Sequence, residues 1–531
     1  MFQKIDQATT VQDVVQRNTG LSLKEFLYPD ENPFLYQLTE AVDCLKLHKS
    51  EPITIVGDYD CDGICATAIL YWGLKYFGVD AKTRLPHRFS EGYGLSEKII
   101  DEIDSGLVIT VDNGIAALDA IKKAKEKGLT VIVTDHHLAV MEKGERLLPR
   151  ADVILDPNAE DVTEYKNYCG AGLAYRFVKE LLKDSSVDLS SLEVLASIAT
   201  VSDVMKLTCA NRILVKNGLK TIKGGNVQLA GLKSILERIK CYESINEDDY
   251  GFKLGPIFNA SGRLYDDGSE RVLKVLTASD DEPRLNWWVD ELINANEKRK
   301  QEVAADMLIA EKLIKEERPI VIYHPNFGEG IIGIIAGNLC EKYHCPVIVF
   351  TKTEQGFLKG SGRSIPSIHL KNALDCISGT MLGYGGHEGA AGLSIPAGSL
   401  DVFRAAFKKA CGSIPSASDS CRYDLEVTRN GIQQTLEDIK LFAPYGEGNP
   451  KPLFHLWYKG NGEYKRIGDG SHFMLKGKSI TLLGFGMAER FEAEELPNNF
   501  DCIGYLKEDW FKGKCYYKFE IVNFEKRCAN D

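Results

Sequence analysis

Three aspartates at alternate positions, Asp58, Asp60 and Asp62, stand in the segment Gly57-Asp58-Tyr59-Asp60-Cys61-Asp62-Gly63, directly after the apolar run Ile53–Val56. Like charges this close repel unless a cation lies between them, so the spacing points to metal binding. An aspartate after a strand is also an ordinary helix cap or turn former, but three in five residues exceed what a cap requires. Two more segments repeat the pattern. Leu107–Val111 ends in Asp112-Asn113-Gly114, and residues 129–133 run into Thr134-Asp135-His136-His137. An imidazole beside carboxylates adds a softer nitrogen ligand and suits hydrated Mn2+ or Mg2+. A fourth acid, Asp203, closes the apolar run at 198–202. If the four places converge, they can hold two metals. Two metals about 4 Å apart activate water and stabilise the leaving oxygen of a phosphoester. The chain has no Gly-rich loop followed by Lys-Ser/Thr, which argues against an NTPase.

The elements that must position these groups are short. Each β-rich run is followed by a helical pattern, and Gly63 lets the chain turn into the first of these helices. Strand, loop and helix repeated in this way give a parallel sheet with helices on both faces. In such sheets functional groups sit past the carboxyl ends of the strands, which is where the acids lie. Residues 282–317 are rich in Glu, Lys, Ala and Leu, with Pro283 near the start and no Gly, so a long helix joins this domain to the next. A second α/β pattern follows, with strand-like runs at 319–323 and 346–350. From about residue 416, aromatic and β-branched runs punctuated by Gly predict a small β-barrel. Residues 1–50 read as a helical, polar leader to the first domain.

The 531 residues are 44% hydrophobic and 26% charged, an ordinary globular composition of three or four domains. The net charge of −12 argues against a nonspecific nucleic-acid coat, but acids that bind metal are neutralised in the working protein. The 14 cysteines are scattered without paired CxxC spacing. With a polar start at residues 1–10 and no bilayer-length apolar run, they imply reduced thiols and a cytoplasmic protein.

Asp-Tyr-Asp-Cys-Asp-Gly, Val-Asp-Asn-Gly, Thr-Asp-His-His and Ser-Asp-Val resemble, in order, the four motifs of the DHH phosphoesterase superfamily. The resemblance implies a site for two divalent cations, Mn2+ or Mg2+, with Asp60, Asp62, Asp112, His136 and Asp203 as ligands. It implies orienting roles for Asp58 and Asp135, and a place for His137 near the scissile phosphate. Some members carry a His where this chain has Val56.

Residues 85–95, with Arg88, and 254–264, with Asn259 and Arg263, resemble segments particular to the RecJ branch, the single-strand-specific DNA exonucleases. Physically, Arg88 and Arg263 offer planar forks for phosphate oxygens; the bland alternative is a surface salt bridge. Gly360-Ser361-Gly362-Arg363-Ser364 and Gly385-Gly386-His387-Glu388-Gly389 resemble the DHHA1 domain, implying that Ser361, Arg363 and His387 contact the nucleic-acid backbone. Residues 444–454 resemble the start of a RecJ-type OB domain.

Phe454, Trp457, Phe473, Trp510 and Tyr516 are candidates for base stacking in that tail, with barrel core as the alternative. Lys465, Arg466, Lys476 and Lys478 are candidates for the backbone. The expected architecture is therefore α/β. A helical leader (1–50) precedes a parallel-sheet DHH domain (51–280). A connecting helix (281–318), a smaller α/β DHHA1 domain (319–412) and a β-barrel OB domain (413–531) come after it.

The family implies a 5′→3′ exonuclease on single-stranded DNA that releases 5′-mononucleotides in DNA repair and recombination. Its expected partners are single-strand-binding protein and a RecQ-type helicase, and it is expected to act as a monomer. The alternative is a DHH–DHHA1 oligoribonuclease or cyclic-dinucleotide phosphodiesterase, which is typically shorter and lacks the OB tail. Binding proteins related to RecJ have lost metal-site acids, whereas every candidate ligand is present here.

Overall fold

Short β-branched runs buried on both faces build the first sheet. β1 (Ile53–Val56), β2 (Lys82–Arg84), β3 (Leu107–Val111), β4 (Thr130–Thr134) and β5 (Val153–Leu155) pair in the order β2-β1-β3-β4-β5, all parallel. All five residues of β3 are buried, as expected for a central strand covered by helices on both sides. Register sets where the acids come out. Val56 lies opposite Thr110, and Val111 opposite Thr134. The carboxyl ends of β1, β3 and β4 are thus level, and Asp58–Asp62, Asp112 and Asp135–His137 emerge along one edge.

The computed structural model describes residues 2–240, 242, 244–315, 318–414, 422–427, 431–494, 499–511 and 514–526. The chain divides into two compact units, one of Phe34–Asp203 and Lys220–Ala417, the other of Met1–Pro33, Val204–Leu219 and Ser418–Asp531. In the first unit, helices α1 (Cys61–Tyr76), α2 (Gly170–Leu181) and α3 (Ser190–Ser202) pack on one another, and α1 and α2 pack against the first sheet. Helix α4 (Gly255–Leu264) leads through a shorter helix to α5 (Leu285–Leu313), 29 residues long and so roughly 43 Å at 1.5 Å per residue.

The second sheet of this unit joins β6 (Ile320–Tyr323), β7 (Val347–Lys352), β8 (Leu358–Arg363), β9 (Gly383–Gly386) and β10 (Ala390–Ile395) in the order β9-β10-β8-β7-β6. Only β6 and β7 are parallel, joined through α6 (Ile332–Tyr343). Alternation on β8 places Ser361 and Arg363 on the same face. No helix among the described residues is long and apolar enough to cross a membrane.

The other unit holds a seven-stranded mixed sheet. It consists of β11 (Leu425–Glu426), β12 (Phe454–Lys459), β13 (Glu463–Ile467), β14 (His472–Lys476), β15 (Thr481–Gly484), β16 (Asn499–Phe511) and β17 (Lys514–Lys526), ordered β11-β12-β16-β17-β15-β14-β13. Residues 2–33 are placed differently from a leader to the first domain. The helix Val11–Thr19 presents Val11, Val14 and Val15 as an i, i+3, i+4 stripe, and these residues join Phe26 in the core of this sheet. Gln3–Lys4 pairs with Arg422–Tyr423. Arg212 is fully buried here. Its Nη2 donates to the carbonyls of Leu441 and Ala443, both at 3.0 Å, and its guanidinium lies 4.5 Å from the centre of the Phe26 ring.

The tail aromatics separate by burial. Phe454 and Phe473 are core residues, whereas Trp457 and Tyr516 are 46% and 47% exposed. The side chain of Trp510 lies outside the described residues. Phe473 stacks on Phe491 with ring centres 4.2 Å apart. Phe473→Ala is expected to cost about 3–5 kcal/mol of stability, read as a lower urea midpoint with an unchanged slope. A neutral midpoint would mean that the ring is not part of the core.

Candidate metal centre and phosphate cradle

The loop after β1 is shaped by its own hydrogen bonds. Asp60 caps α1, its Oδ1 accepting from the N–H groups of Asp62 (2.9 Å) and Gly63 (3.2 Å). Asp62 is gripped by the start of α2, where its two oxygens accept from Gly170 (2.6 Å) and Ala171 (2.7 Å). A helix N-terminus favours a carboxylate in this way. Gly170 is required at that point, because a Cβ there would lie 2.4 Å from that of Asp112. Asp58 accepts from Gly94 N–H at 3.3 Å. Asp112 sits in the left-handed region, φ 62°, and its carbonyl accepts from the Tyr93 hydroxyl at 2.8 Å. Asp203 follows the last turn of α3, so the fourth acid comes from a helix end.

The side chains meet. One ligand atom from each of Asp62, His136 and Asp203 falls within 4.8 Å of the others, as do those of Asp58, Asp60 and Asp112, and those of Asp112, His136 and His137. The five expected ligands are therefore adjacent. Asp58, expected to orient, also contributes an oxygen to the second group. His136 Nε2 lies 3.1 Å from Asp112 Oδ1 and 3.7 Å from an oxygen of both Asp62 and Asp203.

Burial and neighbouring carboxylates push Asp58 and Asp112 well above the usual carboxylate range. Burial, with Asp62 and Asp60, pushes Asp203 up to about 8. Burial lowers His136 and keeps its ring neutral. Asp112 Oδ1 is buried and accepts no hydrogen bond. Leaving such a group unpaired costs about 1–3 kcal/mol, more if charged, and coordination to a cation removes that cost. Five crowded acids, one neutral imidazole and one orphaned carboxylate oxygen fit a pair of hard divalent cations.

His137 is a different kind of group. Burial disfavours its charge, but Asp135, with Oδ1 2.7 Å from Nδ1, outweighs this and the ring is pushed up to about 9. Asp135 also accepts from the N–H groups of Ile115, His136 and His137. Despite its burial it stays below the usual range.

Beside Asp58 and Asp60 lies a cluster of guanidiniums. Arg88 rests 4.7 Å from the centre of the Tyr59 ring. Arg263 donates to the Gly330 carbonyl at 3.2 Å. Desolvation, with Arg88, Arg299 and Arg363 nearby, pushes it down to about 9. Arg363 donates to Ser361 Oγ (3.3 Å) and the Gly362 carbonyl (2.8 Å). None of the four pairs with a carboxylate among the described residues. Gly333, in the first turn of α6, brings that helix within 3.0 Å of Ser361 Oγ, measured from where its Cβ would stand. Desolvated, mutually repelling guanidiniums at a helix N-terminus form a receptor for a multiply charged anion.

Several supports were not visible in the sequence. Arg299 sits in a Glu-Lys-Arg-Lys stretch of α5 that looks like a solvated helix face. Asn158, whose Nδ2 donates to the His136 carbonyl at 2.6 Å, is itself tied to Asp156, which accepts its N–H at 2.7 Å. Tyr93, in the segment with Arg88, bonds the Asp112 backbone. Asn259, expected at the substrate, also braces the Asp60 loop, its Oδ1 accepting from Cys61 N–H at 2.9 Å. His387 lines a cavity with His137.

Comparison with known proteins identifies the family. Family models match as the DHH family N-terminal domain over residues 52–200, the DHHA1 domain over 316–413 and the RecJ OB domain over 423–523. The single-stranded-DNA-specific exonuclease RecJ of Dickeya dadantii is 34% identical over 457 residues, 78% of this chain and 77% of that protein. That of Escherichia coli is 34% identical over 440 residues, 76% of this chain and 74% of that protein. The chain belongs to the RecJ family. A crystal structure of RecJ in complex with Mn2+ from Thermus thermophilus superposes with a TM-score of 0.82 at 28% identity, covering 98% of this chain and 76% of that one. The Mg2+ complex of the same protein gives 0.77.

The acids make a prediction about metal and pH for this RecJ-family chain. A carboxyl whose folded pKa lies above its unfolded value of about 3.9 holds its proton after the unfolded chain has lost it. Stability therefore falls as pH rises toward 8, the value for Asp203. His137, raised to about 9, acts in the same direction above its unfolded value. With chelator, the melting temperature is expected to fall from about pH 5 to about pH 8, and the gain on adding Mn2+ to grow over the same interval. A pH-independent gain would rule out the repulsion account.

Proposed function

We infer that this chain is a metal-dependent exonuclease that degrades single-stranded DNA 5′→3′ and releases 5′-mononucleotides. The observation that carries this is the juxtaposition, within one compact unit, of the carboxylate–imidazole centre and the unpaired guanidinium cluster. Cations bound by Asp58, Asp60, Asp62, Asp112, His136 and Asp203 supply Lewis-acid polarisation and an activated water. The residues around them do the rest. Arg88, Arg263 and Arg363, with Ser361, hold the terminal phosphate and fix the register of the strand. His137, kept charged by Asp135, faces the scissile phosphate as a donor to its oxygens. Tyr93 and Gly170 set the backbone and spacing of Asp112. The RecJ OB match over residues 423–523 favours a long strand over a dinucleotide as substrate.

A nuclease that takes single strands depends on others to expose them. This reading therefore includes a RecQ-type helicase and single-strand-binding protein as suppliers, in the repair and recombination of cytoplasmic DNA, with the enzyme working as a monomer.

Asp60→Ala and Asp112→Ala are each expected to reduce hydrolysis at least about a thousandfold while leaving binding of an oligonucleotide nearly intact. A 5′ label on a long single strand should appear at once as mononucleotide, and a 3′ label only late. Activity surviving both substitutions would dismiss the site assignment. Early release of the 3′ label would dismiss the polarity.

A further inference from the structure

Three members of the guanidinium cluster sit on regular elements, Arg263 on α4, Arg299 on α5 and Arg363 on β8, whereas Arg88 is carried by the loop after β2. A loop holds a charged side chain in place only where its backbone is tied down. The base of this loop is tied: Arg84 pairs with Glu91 at 2.7 Å and Glu102 at 2.9 Å, and Leu85 is buried. The returning limb is tied by Tyr93 and Gly94, which bond Asp112 and Asp58. Between these anchors lies the tip, where Phe89 and Ser90 are exposed. Their hydrogen-bond donors converge on one side chain. Asp266 Oδ1 accepts from Phe89 N–H at 2.8 Å and Ser90 N–H at 3.2 Å, and its Oδ2 accepts from the Ser90 hydroxyl at 2.6 Å. Burial disfavours charge on Asp266, but these bonds outweigh it and hold the carboxyl below its usual range, so they are charge-assisted.

Asp266 is itself a fixed point, three residues past Arg263 in the turn that ends α4. Tyr265 N–H donates to the Ser261 carbonyl at 2.9 Å, and Gly268 N–H to that of Tyr265 at 3.1 Å. A Cβ on Gly268 would lie 2.1 Å from the Ser261 carbonyl oxygen, so the turn has no room to shift. The adjacent acid is no substitute, because Asp267 holds Arg271 through both oxygens, at 2.8 and 3.1 Å. The end of α4 meets Arg88 a second time through Tyr59. That ring carries the guanidinium, and the Tyr59 carbonyl oxygen lies 3.5 Å from where a Gly262 Cβ would stand. Asn259, on the same helix, braces the Asp60 loop. One helix and its turn thus index the cradle and the metal centre to each other.

We propose that Asp266 is a positioning residue for the terminal phosphate: it pins the Arg88 loop to the turn beyond Arg263, so that the two guanidiniums present one preformed fork to a 5′-phosphate. Without it Arg88 keeps its charge, but each incoming strand must order the loop, which lowers affinity. The proposal rests on the reading above that these arginines hold the terminal phosphate.

The test uses the full chain with Mn2+ and compares single strands ending in a 5′-phosphate with the same strands ending in a 5′-hydroxyl. Asp266→Ala is expected to raise KM about tenfold on the phosphorylated strand, with kcat changed less than about twofold. On the hydroxyl strand KM should stay as in the wild type. Arg88→Ala should raise KM on the phosphorylated strand at least as much, and the double variant no further than Arg88→Ala alone. Ser90→Ala removes a single bond at an exposed position and should give about threefold in the same pattern. Asp266→Asn, which keeps the Oδ1 acceptor for both N–H groups, should restore most of the affinity. Equal losses on the two kinds of end, losses additive with Arg88→Ala, or a Ser90→Ala variant indistinguishable from wild type would overturn the proposal. A wild-type chain with the same KM for both ends would defeat the terminal-phosphate reading, and the proposal with it.

Discussion

Repulsion among buried carboxylates is the constraint around which this protein is arranged. Asp58, Asp60, Asp62 and Asp112 come from two loops, and each is withdrawn from water and set near the others. Such a cluster holds together only if the surrounding backbone pins it and a cation offsets the charge. The pinning is visible: the first turn of α1 holds Asp60, the first turn of α2 holds Asp62, and Tyr93 holds the Asp112 carbonyl. The level ends of three parallel strands make it possible, since a one-residue slip of β3 would turn Asp112 to the other face.

Opposite charge is concentrated beside it. The chain carries a net −12, yet four guanidiniums gather without carboxylate partners among the described residues, next to the acids. They come from different elements: the loop after β2, the end of α4, the middle of α5 and the end of β8. Each group of like charges is unfavourable alone. A phosphodiester with divalent cations satisfies both, with cations on the acids and phosphate oxygens on the arginines. Affinity for cations and affinity for phosphate are thus two consequences of one charge distribution. The His137–Asp135 pair lies beside the acids, the imidazole pushed up to about 9 by a carboxylate that also accepts backbone N–H groups.

The unit built on the seven-stranded sheet obeys other physics. Its core is aromatic, with Phe473, Phe491, Phe500 and Phe524 in mutual contact, and Val11, Val14 and Val15 close it from the far end of the chain. The first fifty residues read as helical and polar, but the partner of the valine stripe was not legible, because an apolar stripe specifies that it must be covered and not by what. The tail aromatics show the same limit. Phe473 and Trp457 are both strand aromatics in sequence, and only the pleat sends one inward and the other toward solvent.

What the sequence determined by itself was the chemistry. Asp at alternate positions after an apolar strand, and Asp-His-His after another, are costly arrangements that local structure does not require, so residue type and spacing alone pointed to metal and phosphate. The strands that carry them were legible because β-branched runs bounded by charge have few alternatives. The supports were decided only in three dimensions. Asn158, Arg299 and the hydroxyl of Tyr93 carry no local signature, and Asn259 turned out to brace a loop. Such roles depend on which atoms meet across distances of tens to hundreds of residues, and hydrogen-bond geometry exists only once the chain has packed.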